Sequence, residues 1–155
     1  MILAIDPGKN GALVWAGRDC GAVVEKMPST EGDCVDLIRG ISAAAPGEGR
    51  VCYIEKVGGF IHGKKLPGSA MFNFGHGRGV LIGALMAFGW RVIEVTPQKW
   101  QAWLGIGKVG GDKHKLKAEA QRRFPDVEVT LVNADALLIF DYARAMEAAA
   151  KGGVE

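Results

Sequence analysis

The chain begins MILAIDPGKNGALVWA, and this stretch constrains the fold more than any other. Five apolar residues, Met1 to Ile5, run straight into Asp6. Pro7, Gly8, Lys9, Asn10 and Gly11 follow, and then the chain turns apolar again. A continuous apolar run of this length reads as a strand buried on both faces. The Pro-Gly-Lys-Asn-Gly segment reads as a tight turn, because glycine, proline and asparagine reach the backbone angles a reversal needs. The two together predict a hairpin with a carboxylate at its mouth. A carboxylate at the end of a buried strand is costly unless it has a partner or a task.

The rest of the chain extends this start. Residues 1–6, 11–16 and 21–27 read as three antiparallel strands with short turns between them. Ser29 and Thr30 are capping residues for a helix over about 31–45, with Val35, Leu37, Ile38 and Ile41 inward. PGEG at 46–49 ends it. RVCYIE, residues 50–55, is a fourth apolar strand that also stops on an acid, Glu55. KVGGFIHGKKLPGS reads as a mobile basic surface loop. A long helix is expected over about 69–88, and WRVIEV at 90–95 is a fifth strand. Pro97 opens a short helix carrying Trp100 and Trp103. GIGKVGG is a flexible link, and Asp112 caps a basic helix to about 124. Residues 127–132 suggest a short extended piece. Asn133 caps a final helix over about 134–150. Three meandering strands followed by strand–helix alternation predict a mixed α/β sheet flanked by helices, in one domain spanning residues 1–155.

Composition limits the partners. No run approaches the roughly 20 apolar residues of a membrane helix, and Asp6 interrupts the first apolar run early, so neither a membrane partner nor a secretory signal is expected. Cys20, Cys34 and Cys52 lack metal-ligand spacing and read as reduced thiols of a cytoplasmic protein. The formal net charge is only +2, which by itself points to no particular partner. The distribution says more. Lys108, Lys113, Lys115, Lys117, Arg122 and Arg123 crowd one segment, and Lys56, His62, Lys64 and Lys65 another. Such clusters make local positive surface that attracts phosphates, although a solvated helix face accounts for them equally well.

Asp6 and Glu55 end apolar strands, and in open α/β sheets ligands bind beyond the carboxyl ends of the strands. Asp135, in NADALLIF, lies in the first turn of the last helix. Singly, each acid has an ordinary explanation in a turn, a strand end or a helix start. Together they supply the oxygen ligands that Mg²⁺ prefers, and their mutual repulsion calls for a cation.

AIDPGKNGAL resembles the first hairpin of the RuvC-type Holliday junction resolvases, phage or bacterial members of the RNase H-like nuclease superfamily. YIEKV resembles their second acidic strand, and SAMFNFGHGRG the helix after it. EVTPQKWQAWLGIGKVGGDKHKLKAEAQ resembles the strand, proline, basic link and helix that follow. NADALLIFDYA resembles the terminal helix. The segments occur in the family's order from residue 1 to about 145. The resemblance implies an RNase H-like α/β fold with a five-stranded mixed sheet, three antiparallel strands and then parallel ones. It implies Mg-dependent resolution of four-way DNA junctions by paired symmetric cuts, with the protein a homodimer in a bacterial cell or phage-infected host.

By the same resemblance, Asp6, Glu55 and Asp135 hold two Mg²⁺ ions, with Mn²⁺ a possible substitute. One ion would activate water and the other steady the leaving oxygen. Lys113 would steady the phosphate under attack. A further family ligand falls at Val132, which cannot bind metal. Asn133 is the nearest polar group, and three roles stay open for it: helix cap, amide ligand to a metal, or neutral replacement of an acid. Phe60 would wedge between bases at the crossover. Lys56, His62, Lys64, Lys65, Arg78, Lys99, Lys108 and Lys115 would contact DNA. Gly75, Gly79, Gly83 and Ala87, four apart on the long helix, suggest a close neighbour, either the sheet or a second subunit.

Two further readings remain: another RNase H-like nuclease acting on flap or fork DNA, RNA–DNA hybrid or ribosomal RNA, and a junction-binding protein impaired in catalysis. An actin-like kinase shares the Asp-turn-Gly opening but needs two domains, and GIGKVGG lacks the spacing of a phosphate-binding P-loop.

Overall fold

The computed structural model describes residues 1–16, 21–44, 49–56 and 68–152. Five strands form one sheet: β1 (Ile2–Asp6), β2 (Ala12–Ala16), β3 (Ala22–Lys26), β4 (Val51–Glu55) and β5 (Arg91–Val95). Their order is β3-β2-β1-β4-β5. β3, β2 and β1 are antiparallel neighbours, and β1, β4 and β5 run parallel. The mixed sheet expected from the sequence is therefore present, with β1 at its centre. The helices are α1 (Glu31–Ala44), α2 (Gly68–Ala87), α3 (Pro97–Trp103), α4 (Lys113–Arg123) and α5 (Ala134–Gly152). No described helix is long and apolar enough to cross a membrane.

The two faces of the sheet bury separate cores, and strand alternation sorts the residues between them. Leu3, Ile5, Cys52 and Ile54 pack with Ile38 of α1 and Leu81 and Leu85 of α2. Ala4, Val51 and Tyr53 face the other way, against Trp100 of α3, Leu116 of α4 and Leu137 and Phe140 of α5. α5 packs on β1 and beneath α4, so its residues from Ala134 to Phe140 are all buried. That explains a segment apolar on nearly every side.

The turn after Asp6 depends on glycine. Gly8 has φ of 125°, which side-chain-bearing residues rarely adopt. A Cβ on Gly11 would stand 1.9 Å from the Asp6 carbonyl oxygen. Gly11 N–H donates to the Gly8 carbonyl at 3.0 Å, and Asp6 then pairs with Ala12. The glycine turn thus closes directly on the backbone of the strand's terminal acid.

Thr30 and Asp112 cap helices as expected: Thr30 Oγ1 accepts the Asp33 amide, and Asp112 accepts the amides of His114 and Lys115. Thr96, not singled out in the sequence, caps α3 before Pro97. Three expectations change. The Asn133 side chain, expected to cap α5, turns back to Thr130 and Glu128 instead. Residues 127–132 join no strand of the sheet; their last part runs into a turn that Thr130 and Asn133 hold together with side-chain hydrogen bonds. Gly75, Gly79 and Gly83 do not pack on the sheet, since a Cβ at any of them would meet nothing within 4 Å. They lie on the exposed side of α2, in line with exposed Phe72 and Met86.

Candidate active site

Strand alternation fixes where the acids point. Asp6 has the parity of Ile2 and Ala4, and Glu55 that of Val51 and Tyr53, so both project to the α5 side of the sheet. β1 and β4 are parallel neighbours with Ile5 opposite Ile54, and the two acids stand one residue beyond that pair. Asp135, in the first turn of α5, is brought over the same end because α5 lies across β1.

The electrostatics record this convergence. Burial, then the charges of Glu55 and Asp135, push the Asp6 carboxyl up to about 8, against a smaller opposing pull from Lys113. Burial also raises Glu55; a hydrogen bond from Trp100 opposes the rise, and the Asp135 charge adds to it. Lys113 is partly desolvated, which lowers its pKa, but the hydrogen bond and charge of Asp135 and the charges of Asp6 and Glu55 outweigh this and raise it. Four side chains from β1, β4, α4 and α5 therefore share one crevice.

Two contacts orient these acids. The indole Nε1 of Trp100, fully buried in α3, donates to Glu55 Oε1 at 3.0 Å. Lys113 Nζ lies 3.0 Å from Asp135 Oδ2. The other oxygen of Asp135, Oδ1, is buried and has no hydrogen-bond partner among the described residues. An orphaned carboxylate oxygen is costly in a protein interior, so its presence here calls for a partner. Among the described residues, no three His, Cys, Asp or Glu side chains are gathered closely enough to hold a metal ion as they stand. The donor set nevertheless fits a hard divalent cation: every free ligand atom is a carboxylate oxygen, and Mg²⁺ needs only one or two carboxylates beside water and phosphate oxygens.

Asn133 does not turn toward this crevice. Its Oδ1 accepts the Thr130 amide at 2.8 Å, and its Nδ2 donates to the Glu128 carbonyl at 3.0 Å. It occupies the residue before α5, and its own carbonyl accepts the Leu137 amide, but its side chain reaches back to the preceding turn. Both ends of the amide are committed to that turn.

The expected DNA contacts are dispersed. Lys56, Lys99 and Lys108 are exposed, and Lys115 Nζ donates to the Lys108 carbonyl at 3.1 Å. Arg78 pairs with Glu94 of β5 at 2.7 Å, with its side chain only 20% exposed. Phe60, His62, Lys64 and Lys65 lie outside the described residues. Sequence reasoning missed Trp100 as a support for Glu55. The signal was its place in TPQKW, one helical turn beyond the strand beside β4.

No protein-family model matches this chain, and no curated protein matches it. Solved structures do. The Thermus thermophilus RuvC structure is 17% identical, with 97% of this chain and 96% of that chain covered at a TM-score of 0.59. T. thermophilus RuvC in complex with Holliday junction substrate is 16% identical, with 96% and 94% covered and a TM-score of 0.63. At these identities the likeness establishes the fold: a five-stranded mixed sheet with flanking helices, as in RuvC.

Proposed function

We propose that this chain is a divalent-metal-dependent nuclease that hydrolyses phosphodiesters of branched DNA, with the four-way junction as its preferred substrate. One observation carries the reading: Asp6, Glu55 and Asp135, far apart in sequence, face one crevice at the carboxyl end of a RuvC-like sheet, and a buried oxygen of Asp135 lacks a partner. A neighbour of the same fold is RuvC in complex with Holliday junction substrate, which supports branched DNA over other polymers.

In this reading the three carboxylates would hold the cation, Mg²⁺ or Mn²⁺. Bound there, it would supply an activated water and neutralise charge developing on the phosphate. The protein's own groups do the remaining work. Trp100 fixes one oxygen of Glu55 and leaves the other free to bind. Lys113, 57% exposed while holding Asp135, presents an ammonium that can also meet the phosphate oxygens. Lys56, Lys99, Lys108 and Lys115 would supply positive charge to the DNA backbone, as would His62, Lys64 and Lys65 with the aromatic Phe60 from the segment outside the described residues; phosphate contacts of this kind position DNA without reading sequence. Arg78 joins them only by leaving Glu94.

Paired cuts call for a two-fold dimer. The exposed side of α2, with Phe72, Gly75, Gly79, Gly83 and Met86, is the surface we assign to that contact, since glycines let backbones approach closely.

The test is strand cleavage by the purified chain on a synthetic four-way junction, with and without Mg²⁺, beside flap, fork, linear duplex and RNA–DNA hybrid. Symmetric nicks on the junction that need Mg²⁺ are expected. Preferred cutting of the hybrid would move the protein to another branch of RNase H-like nucleases. Tight junction binding without cutting would mark a binding protein.

A further inference from the structure

The balance of charge among the three carboxylates and Lys113 bears on how many cations they accept. Lys113 Nζ sits 3.0 Å from Asp135 Oδ2, and the Asp135 side chain is only 11% exposed, so a fixed ammonium already serves this acid. Trp100 occupies Glu55 Oε1. Among the described residues, the oxygens for which no protein donor is seen are Asp135 Oδ1, the second oxygen of Glu55 and those of Asp6. In their ionised form three carboxylates and one ammonium leave two net negative charges, the charge one divalent cation neutralises. A second divalent cation would leave two net positive charges in a partly buried crevice, and low-dielectric surroundings make that imbalance expensive.

Among the described residues, further ligands are also lacking. Val132 is apolar, and the Asn133 amide is taken at both ends by Thr130 and Glu128. Among the described residues no three acids, histidines or thiols, these included, are gathered closely enough to hold a metal ion as they stand.

We infer that the site takes one divalent cation per chain, with the Lys113 ammonium standing in for a second. The inference rests on the nuclease reading above and concerns the make-up of that same site. It accounts for a lysine placed against a buried acid that also has an unpartnered oxygen: one oxygen of Asp135 serves the built-in cation, and the other waits for the added one.

The test counts Mn²⁺ bound to the full-length chain, stripped of metal, at pH 7.5, using the free-ion electron paramagnetic resonance signal. The wild-type protein should saturate at one Mn²⁺ per chain. Lys113→Met removes the charge from an exposed position and should saturate at two; Lys113→Arg keeps the charge and should stay at one. Circular dichroism melts establish that the variants fold. Two Mn²⁺ on the wild type, one on Lys113→Met or two on Lys113→Arg would each overturn the inference while leaving a metal nuclease intact. No Mn²⁺ on the wild type would overturn the metal-dependent reading itself.

Discussion

Replacing Glu119 with glutamine removes a charge and little volume, and the structure sets its cost. Glu119 is 8% exposed. Arg122 donates to both of its oxygens, at 2.7 and 3.0 Å, and Arg123 donates to Oε1. Arg123 also reaches Asp141 of α5 at 2.6 Å, the Leu104 carbonyl at 3.2 Å and the face of Trp103. Glu119 thus anchors the arginine that ties α4 to α3 and α5, and Lys113 is the first residue of α4.

Hydrogen bonds from Arg122, and then from Arg123, outweigh burial and hold the Glu119 carboxyl at about 2 against an ordinary 4.5. At about 1.4 kcal/mol per pKa unit this corresponds to about 3 kcal/mol; Arg122 is 67% exposed and solvent screens its share, so about 2 kcal/mol is expected. The folded pKa lies below the unfolded one, so this stability is present above pH 4.5 and is lost as pH falls toward 2. Urea melts at pH 7, 4.5 and 3.5 measure it. Glu119→Gln should be less stable by about 2 kcal/mol at pH 7, and the gap should narrow below pH 4.5. A gap under about 0.5 kcal/mol at pH 7, or one that does not change with pH, would refute the reasoning.

Asp6→Asn should abolish Mg²⁺-dependent cleavage and retain junction binding. It should also stabilise the metal-free protein at neutral pH, because Asp6 is raised from 3.8 to about 8 and its favourable protonated form is lost across that range as pH rises; thermal melts in chelator at pH 5 and 7.5 should diverge accordingly. Trp100→Phe leaves Glu55 Oε1 without its donor, and should raise the Mg²⁺ concentration for half-maximal cleavage by about tenfold, the scale of lost support to a ligating group. Gly11→Ala sets a Cβ against the Asp6 carbonyl, and should cost about 2 kcal/mol or more in urea melts and lower cleavage with it. Phe72→Asp on the exposed side of α2 should yield a monomer in sedimentation, with single nicks replacing paired cuts.

Much of the fold was legible because the strands are short, apolar and punctuated. ILAID, ALVWA and VCYIE announce both their length and their burial, and Thr30, Pro97 and Asp112 mark helix starts. Asp6 and Glu55 stood out in the sequence as candidates because each ends an apolar run, but singly each had an ordinary explanation, and their approach to Asp135 follows from the packing of β1, β4 and α5. Residues 127–132 misled because Val127, Val129 and Leu131 alternate as a strand would, while the local hydrogen bonds of Thr130 and Asn133 make a turn. The glycines of α2 gave no sign of which neighbour they serve, since spacing reports a face and not what covers it. The Trp100–Glu55 and Lys113–Asp135 contacts join positions 45 and 22 residues apart, and such pairs are visible only once α3 is packed on β4 and α4 on α5.

Crystals of the protein grown with Mn²⁺ test the central claim most directly, through the anomalous scattering of the ion. An anomalous peak within about 2.5 Å of oxygens from Asp6 and Asp135, with Glu55 on its border, is predicted. Mn²⁺ found only elsewhere, in a preparation that cuts junctions, would contradict it.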